Sequence, residues 1–246
     1  MISTIIDDIC DHFRSFVLLN IKIRNYINSN GVQCEIDFDS NYFLVSGFAH
    51  PKLPIIKQGK IELSEWGLIP SFAYSEEMAR DIREKTLNAR SDTIHEKPSY
   101  KSSIKKQRAI LGVDGFFEWQ HVDNAKIPYY IFPKDNAAFY LGCIYNQWTN
   151  KLTGEIVDTF SIITTDANPM MEVIHNSKKR MPLILSKSDT KEWINPETDI
   201  DRINNLMKPF PESEMDAYQI SKTAGNSRVD RNYPGIKDRV DNMNLF

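Results

Sequence analysis

Within residues 111–120, LGVDGFFEWQ, one side chain is out of keeping with its neighbours. Glu118 lies between Phe117 and Trp119, behind an apolar entry of Ala109, Ile110, Leu111 and Val113. Strand alternation projects Glu118 to the face opposite Phe117 and Trp119, and on that geometry alone it is an exposed carboxylate on a half-buried strand. The alternative is chemical: a carboxylate in a semi-apolar pocket has its pKa raised and is ready for proton transfer. Asn88 in a polar connection, His175 at the head of a charged loop and three cysteines (Cys10, Cys34, Cys143) are the other residues able to do chemistry. Taken singly they are weak signals, since a lone histidine is more often structural and a loop asparagine more often serves a turn.

The elements that must position these groups are readable in outline. Residues 60–66 alternate and read as a strand, running into Trp66-Gly67-Leu68-Ile69-Pro70, where Gly67 and Pro70 rule out a regular helix. Ser75 followed by Glu76 and Glu77 is an N-cap with an acidic first turn. Pro98 suits the first turn of a helix reaching Lys106. Further strands are expected at 42–45, 128–132, 138–145, 159–164, 181–185 and 218–220, from branched and aromatic content. Pro51 and Pro54 bracket a loop, and a partly buried helix is expected from about residue 11 to Ile27. Asn168-Pro169 caps a short helix that delivers His175 and Asn176 into the loop 177–180. Many short strands with few helices between them imply an α+β fold: a single compact domain on a curved, barrel-like mixed sheet flanked by helices. Residues 223–246 form a polar, glycine-punctuated tail expected to be loosely ordered.

The chain has 246 residues, 41% hydrophobic and 26% charged, enough for one large core. No apolar run approaches the roughly 18 residues of a membrane span. Asp7 and Asp8 near the start argue against a secretory signal, so a cytoplasmic protein is expected. The cysteines are odd in number and widely spaced, which supports neither a disulfide framework nor a zinc site. His12, His50, His95, His121 and His175 lack paired ligand spacing, so no metal is expected, and no cofactor. A net charge of −3 gives no global basic field, so nucleic-acid binding would need a local patch. A monomer is the default.

Cys10, WGLIP at 66–70, LNARSDTI at 87–94, FFEW at 116–119 and IHNSKKRMPLIL at 174–185, in this order, resemble the SRAP (SOS-response-associated peptidase) family. The resemblance runs from about Ile36 to Tyr218. Its specific marks are Asn88-Ala89-Arg90, Gly115 to Trp119, and His175 through Arg180-Met181-Pro182. Members shield abasic sites in single-stranded DNA, with a role in the SOS response to DNA damage. The resemblance implies an SRAP-type domain over residues 10–222 with a positively charged groove, and a partner: single-stranded DNA containing abasic sites. It also implies a reaction in which an N-terminal cysteine forms a thiazolidine crosslink with the ring-opened deoxyribose, with lyase cleavage as a side reaction. Asn88 would then orient the abasic sugar and the cysteine. Glu118 would take protons from the amine and assist N-terminal processing. His175 would act as acid or base on the sugar hydroxyl and the imine. Arg90 resembles the phosphate-binding arginine, and Trp66 the aromatic that stacks or wedges against a base. The run Lys97, Lys101, Lys105, Lys106 and Arg108 is either backbone electrostatics or a solvated face.

The N-terminus departs from the pattern. Members begin Met-Cys, whereas this chain begins Met1-Ile2, and His12 stands where many relatives have arginine. Cys10 is the best replacement by its spacing to Trp66. Cys34 and Cys143 are worse placed, and Cys143 reads as a small core residue. Residues 1–9 are then a propeptide removed by autoproteolysis between Ile9 and Cys10, or lie upstream of the true start, or the chain is a relative without crosslinking activity. Cys10 is favoured as the nucleophile. Two rivals come from other classes: a papain-like thiol peptidase using Cys10, His175 and Asn88, and a non-enzymatic single-strand binder needing only Trp66 and Arg90.

Overall fold

The computed structural model describes residues 15–17, 42–135 and 137–240. Strands β2 (Lys52–Lys57) and β3 (Lys60–Trp66) form an antiparallel hairpin. Its two-residue turn, Gln58-Gly59, has both φ angles positive, which matches the twist of the flanking strands. On the other side β2 pairs with β5 (Arg108–Val113), β5 with β8 (Phe139–Thr149), and β8 with β9 (Ile156–Asp166), all antiparallel. β9 then returns to β3 in parallel, Glu65 opposite Thr159 and Trp66 opposite Phe160. Five strands thus close into a barrel, and closure removes the exposed edges that an open sheet would present.

Alternation sorts the barrel's residues into two cores. Leu53, Ile55, Trp66, Leu111, Leu141, Cys143, Phe160 and Ile162 point inward and form one cluster. Ile56, Ile110, Ile144 and Ile163 point outward into a second. That second core is roofed by α2 (Ser103–Lys106), α4 (Thr190–Ile194) and α5 (Ile200–Leu206), through Ile104, Trp193, Ile203 and Leu206. Arg108 is wholly buried between α2 and α4. Its guanidinium donates to the carbonyls of Trp193 and Ile104, at 2.8 and 2.9 Å, and to those of Lys105 and Asn195. It is a helix-end cap, not part of a basic surface run.

One end of the barrel is closed by charge. Lys57 is only 6% exposed, and its Nζ lies 2.9 Å from Glu62, 3.1 Å from Asp158 and 4.7 Å above the Tyr145 ring. Only Lys57 is buried; Glu62 and Asp158 are partly exposed, so water compensates much of their charge when Lys57 is removed. Lys57→Ala is therefore expected to lower stability by about 1 kcal/mol, read as a lower urea midpoint at unchanged slope. An unchanged midpoint would mean that the cluster contributes no net stability.

A second sheet grows out of the barrel. Asp114 alone separates β5 from β6 (Gly115–Val122), which pairs with β7 (Ala125–Pro133) and, on its other edge, with β1 (Ser15–Val17). β12 (Met215–Gln219) completes the order β1-β6-β7-β12. A Cβ on Gly115 would collide with the Ile131 carbonyl, so glycine is what lets β6 start so close to β7.

Four expectations change on contact with the structure. Residues 15–17 are a strand, because they have an open edge of β6 to pair with; the rest of the expected helix to Ile27 lies outside the described residues. Pro54 sits inside β2, not in a loop. β5 pairs with β2 only from Ile55 onward, so the missing Pro54 N–H leaves no gap in the ladder. The helix expected from Pro98 shrinks to Ser103–Lys106, preceded by turns. The C-terminal segment is packed, not loose, as far as residue 240. Ala224 and Ile236 are fully buried against Phe117 and Tyr130. Lys237 Nζ reaches buried Asp114 at 2.6 Å, and Tyr218 Oη donates to the Lys237 carbonyl at 2.8 Å. Its polar composition hid three anchoring side chains, two apolar and one cationic.

Candidate nucleic-acid interface and reactive site

β6 carries Glu118 to the point where α3 (Pro169–Ile174) ends. Asn168 caps α3 by accepting from Met171 N at 2.9 Å, and Pro169 takes the first helical position. Six residues later the helix delivers His175, whose N–H still bonds to the Met171 carbonyl at 2.7 Å. The two groups meet in the interior: Glu118 and His175 are each 3% exposed, with His175 Nδ1 3.8 Å from Glu118 Oε1. Glu118 Oε2 also accepts from Trp119 N at 3.3 Å. The exposed carboxylate that strand alternation allows is not what forms, because α3 and the loop after it cover that face of β6.

The histidine's tautomer follows from its partner. The Arg180 carbonyl, 2.9 Å from Nδ1, can only accept, so Nδ1 carries the proton and Nε2 the lone pair. Burial holds the imidazole below its ordinary pKa of 6.5, and Arg180, Lys178 and His121 push the same way. His175 is therefore neutral at pH 7, with Nε2 able to take a proton. His50 is likewise held down by burial. Unfolding restores both to about 6.5, so below that pH the unfolded chain binds more protons and the fold loses stability. Melting temperature is expected to fall between about pH 7 and pH 5.5, and His175→Gln to flatten part of that slope. A slope identical in the variant would remove His175 from the linkage.

Arg180, whose carbonyl holds His175, also lines a groove of about 500 Å³ with Asn88, Arg90, Lys97, Phe48 and Tyr100 among others. Asn88 and Arg90 lie on β4 (Asn88–Arg90), which runs parallel to β9, while β10 (Arg180–Pro182) runs antiparallel to it, Pro182 and Arg90 both opposite Thr164. Tyr100 Oη donates to the Asn88 main-chain carbonyl at 3.0 Å and steadies β4. The Asn88 side-chain Oδ1 is buried and accepts no hydrogen bond from the described residues. A buried acceptor without a donor is costly, and a ligand hydroxyl or amine would relieve it. Arg90 is half-exposed and paired with Asp92, Nε to Oδ1 at 3.0 Å. Arg180 is half-buried within the fields of Arg90, Asp92 and Glu118, and so links the groove to the buried pair.

The structure thus brings together Asn88, Arg90, Glu118 and His175 of the expected set. Trp66 is not on this surface. It is fully buried in the barrel, stacked on Phe160 with Nε1 donating to the Leu87 carbonyl at 2.8 Å, and so is core, not a base-stacking platform. The exposed aromatic of the groove is Phe48, 46% exposed, which the sequence reading passed over. Arg180 joins the groove as well; its signal in the sequence is its place between His175 and Pro182. Of the basic run, Lys97 lines the groove, Lys106 pairs with Glu197 at 3.5 Å, and Arg108 is buried. Cys143 is inside the barrel with its thiol pKa pushed up by burial, consistent with a core residue. Cys10 and Cys34 lie outside the described residues. Among the described residues there is no cluster of three or more metal-ligating side chains, and no helix is long and apolar enough to cross a membrane.

Comparison with known proteins agrees with this architecture. A crystal structure of a protein from Bacteroides thetaiotaomicron superposes with a TM-score of 0.84 at 39% identity, covering 94% of this chain and all of that one. One from Bordetella bronchiseptica shares the fold at 19% identity and a TM-score of 0.71. In sequence, the chain is 37% identical over 206 residues to the abasic site processing protein YobE of Bacillus subtilis, covering 78% of this chain and 90% of that protein. It is 31% identical over 182 residues to the abasic site processing protein HMCES of Xenopus tropicalis, covering 66% of this chain and 53% of that protein. The model of the SOS response associated peptidase (SRAP) family matches residues 34–227, and the chain belongs to that family.

Proposed function

We propose that this protein processes abasic sites in single-stranded DNA by forming a covalent crosslink through Cys10. The observation that carries the reading is the buried Glu118–His175 pair, 3.8 Å apart, joined by Arg180 to a groove with an unsatisfied Asn88 acceptor. The names of the relatives indicate the substrate class, and the groove supplies matching chemistry: two arginines for phosphate and Phe48 for a base. The Arg90–Asp92 pair is exposed and weak, so a phosphate can compete for the guanidinium.

The reaction begins with Cys10 as an N-terminal residue after loss of residues 1–9. Its α-amine adds to the aldehyde of the ring-opened deoxyribose. Water leaves to give an imine; the thiol adds to the imine carbon and its proton passes to nitrogen, closing a five-membered thiazolidine. Only a 1,2-aminothiol closes that ring. Glu118 takes the amine proton, and neutral His175 moves protons at the sugar hydroxyl and the imine through Nε2. Asn88 Oδ1 accepts from the sugar hydroxyl. If the imine instead loses a C2′ proton, the C3′–O bond breaks and the strand is cleaved, which is the lyase side reaction. β1 supports the role of Cys10. Its antiparallel register, Ser15 opposite Phe117, directs its N-terminal end toward Glu118. Cys10 is five residues upstream of Ser15, a reach of at most about 17 Å.

The test is incubation with an abasic single-stranded oligonucleotide followed by a denaturing gel. A heat-stable retarded band with the abasic strand, absent with intact DNA, is expected. Reversible retention of both strands on native gels, with no denaturant-stable band, would favour the non-covalent binder.

A further inference from the structure

The contact between Glu118 and His175 lies where α3 meets β6, two elements already packed together through Met171, Ile174 and Phe116. α3 has six residues, under two turns, and a helix that short does not fix its own C-terminal end. Its N-terminal end is tied down by Asn168; the end that bears His175 is held by buried Ile174 and by the Arg180 carbonyl, and one further contact sets its orientation on β6. That contact is a side-chain clamp on β6. Asn176 Oδ1 accepts from the His121 N–H at 3.0 Å, and Asn176 Nδ2 donates to the His121 carbonyl at 2.8 Å. One carboxamide thereby satisfies both main-chain groups of a single strand residue. It occupies the edge of β6 that β1 leaves beyond Phe117. A second rung lies alongside: Gln120 Nε2 donates to the Val173 carbonyl at 3.1 Å, with its Oε1 accepting from Tyr129 Oη at 3.3 Å.

The two rungs grip residues 173 and 176, on either side of His175, and attach them to residues two and three beyond Glu118. We propose that Asn176 is a positioning residue: its clamp on the β6 main chain sets the His175 imidazole against Glu118. The role of the pair in catalysis rests on the proposed function; the clamp itself does not. Displacing a proton-transfer group by even 1 Å lowers a rate by up to about 100-fold, so loss of the clamp is felt in chemistry more than in folding. Both rungs lie near the surface, where single hydrogen bonds contribute about 1 kcal/mol each.

The test reads the imidazole directly, by NMR titration of His175 in the wild type, in Asn176→Ala and in Ser177→Ala, a neighbouring exposed position outside the clamp. Among the described residues, Glu118 and His121 on β6, Lys178 in its own loop and Arg180 on β10 face His175. Freed from the clamp, the ring gains water and moves away from Arg180 and Lys178; relief of burial, the largest effect, outweighs the weakened bond to the Arg180 carbonyl, so its titration midpoint rises toward 6.5. The expected result is a folded Asn176→Ala protein with a raised midpoint and an initial adduct rate lower by about 10-fold or more, while Ser177→Ala matches the wild type. A wild-type midpoint in folded Asn176→Ala, or the same rise in Ser177→Ala, overturns the proposal. If Asn176→Ala does not fold, Gln120→Ala removes the other rung and is judged by the same criterion. Should the wild type form no adduct, the proposed function fails, while the titration still decides the clamp.

Discussion

Cys10→Ala is expected to abolish the heat-stable adduct with abasic single-stranded DNA, while Cys34→Ala and Cys143→Ala leave it intact. The effect is all or none because the ring closure needs an amine and a thiol on adjacent carbons. An internal cysteine offers the thiol alone, which gives a labile hemithioacetal that heat reverses. Cys143 is further disqualified by position, since its thiol lies inside the barrel, where burial disfavours the thiolate. A Cys10→Ala protein that still yields the adduct would remove Cys10 from the chemistry and, with it, the significance of the β1 tether.

The second large effect is expected at the buried pair. Glu118→Gln and His175→Gln should each slow adduct formation by about 100- to 10,000-fold, the usual worth of a positioned proton-transfer group. Their double variant should fall little further, because the two groups act in one sequence of proton transfers. Stability should move the other way for Glu118. A carboxylate 3% exposed carries a desolvation penalty that an isosteric amide escapes, so Glu118→Gln should melt no lower than the parent. Denaturing gels over a time course give the rates, and thermal melts give the stability. Adduct formation at the wild-type rate in either variant would reduce the pair to scaffolding.

Much of this site could be read before any coordinates. The helix caps Ser75 and Asn168, the strand leading to Glu118 and the delivery of His175 by a short helix all depend on local chemistry, and local chemistry is written in consecutive residues. Glu118 shows the limit of that reading. Its neighbours fix which face it takes, but only α3, some fifty residues later in the chain, buries that face. Trp66 failed for a related reason: position in a motif says nothing about which side of a closed barrel a tryptophan faces. Arg108 looked like one more cation in a basic run, yet four carbonyls from two helices, two of them nearly ninety residues away, internalise it. The C-terminal segment was hidden by composition, since Ile236 and Lys237 anchor it while the residues around them are polar.

The most direct measurement is intact-protein mass spectrometry of the untagged chain, before and after incubation with abasic single-stranded DNA. The expected result is a mass lacking residues 1–9 that increases by the oligonucleotide, which establishes Cys10 as a processed N-terminal aminothiol. A full-length mass with no stable adduct would contradict the crosslinking reaction and leave a groove that binds single strands without reacting.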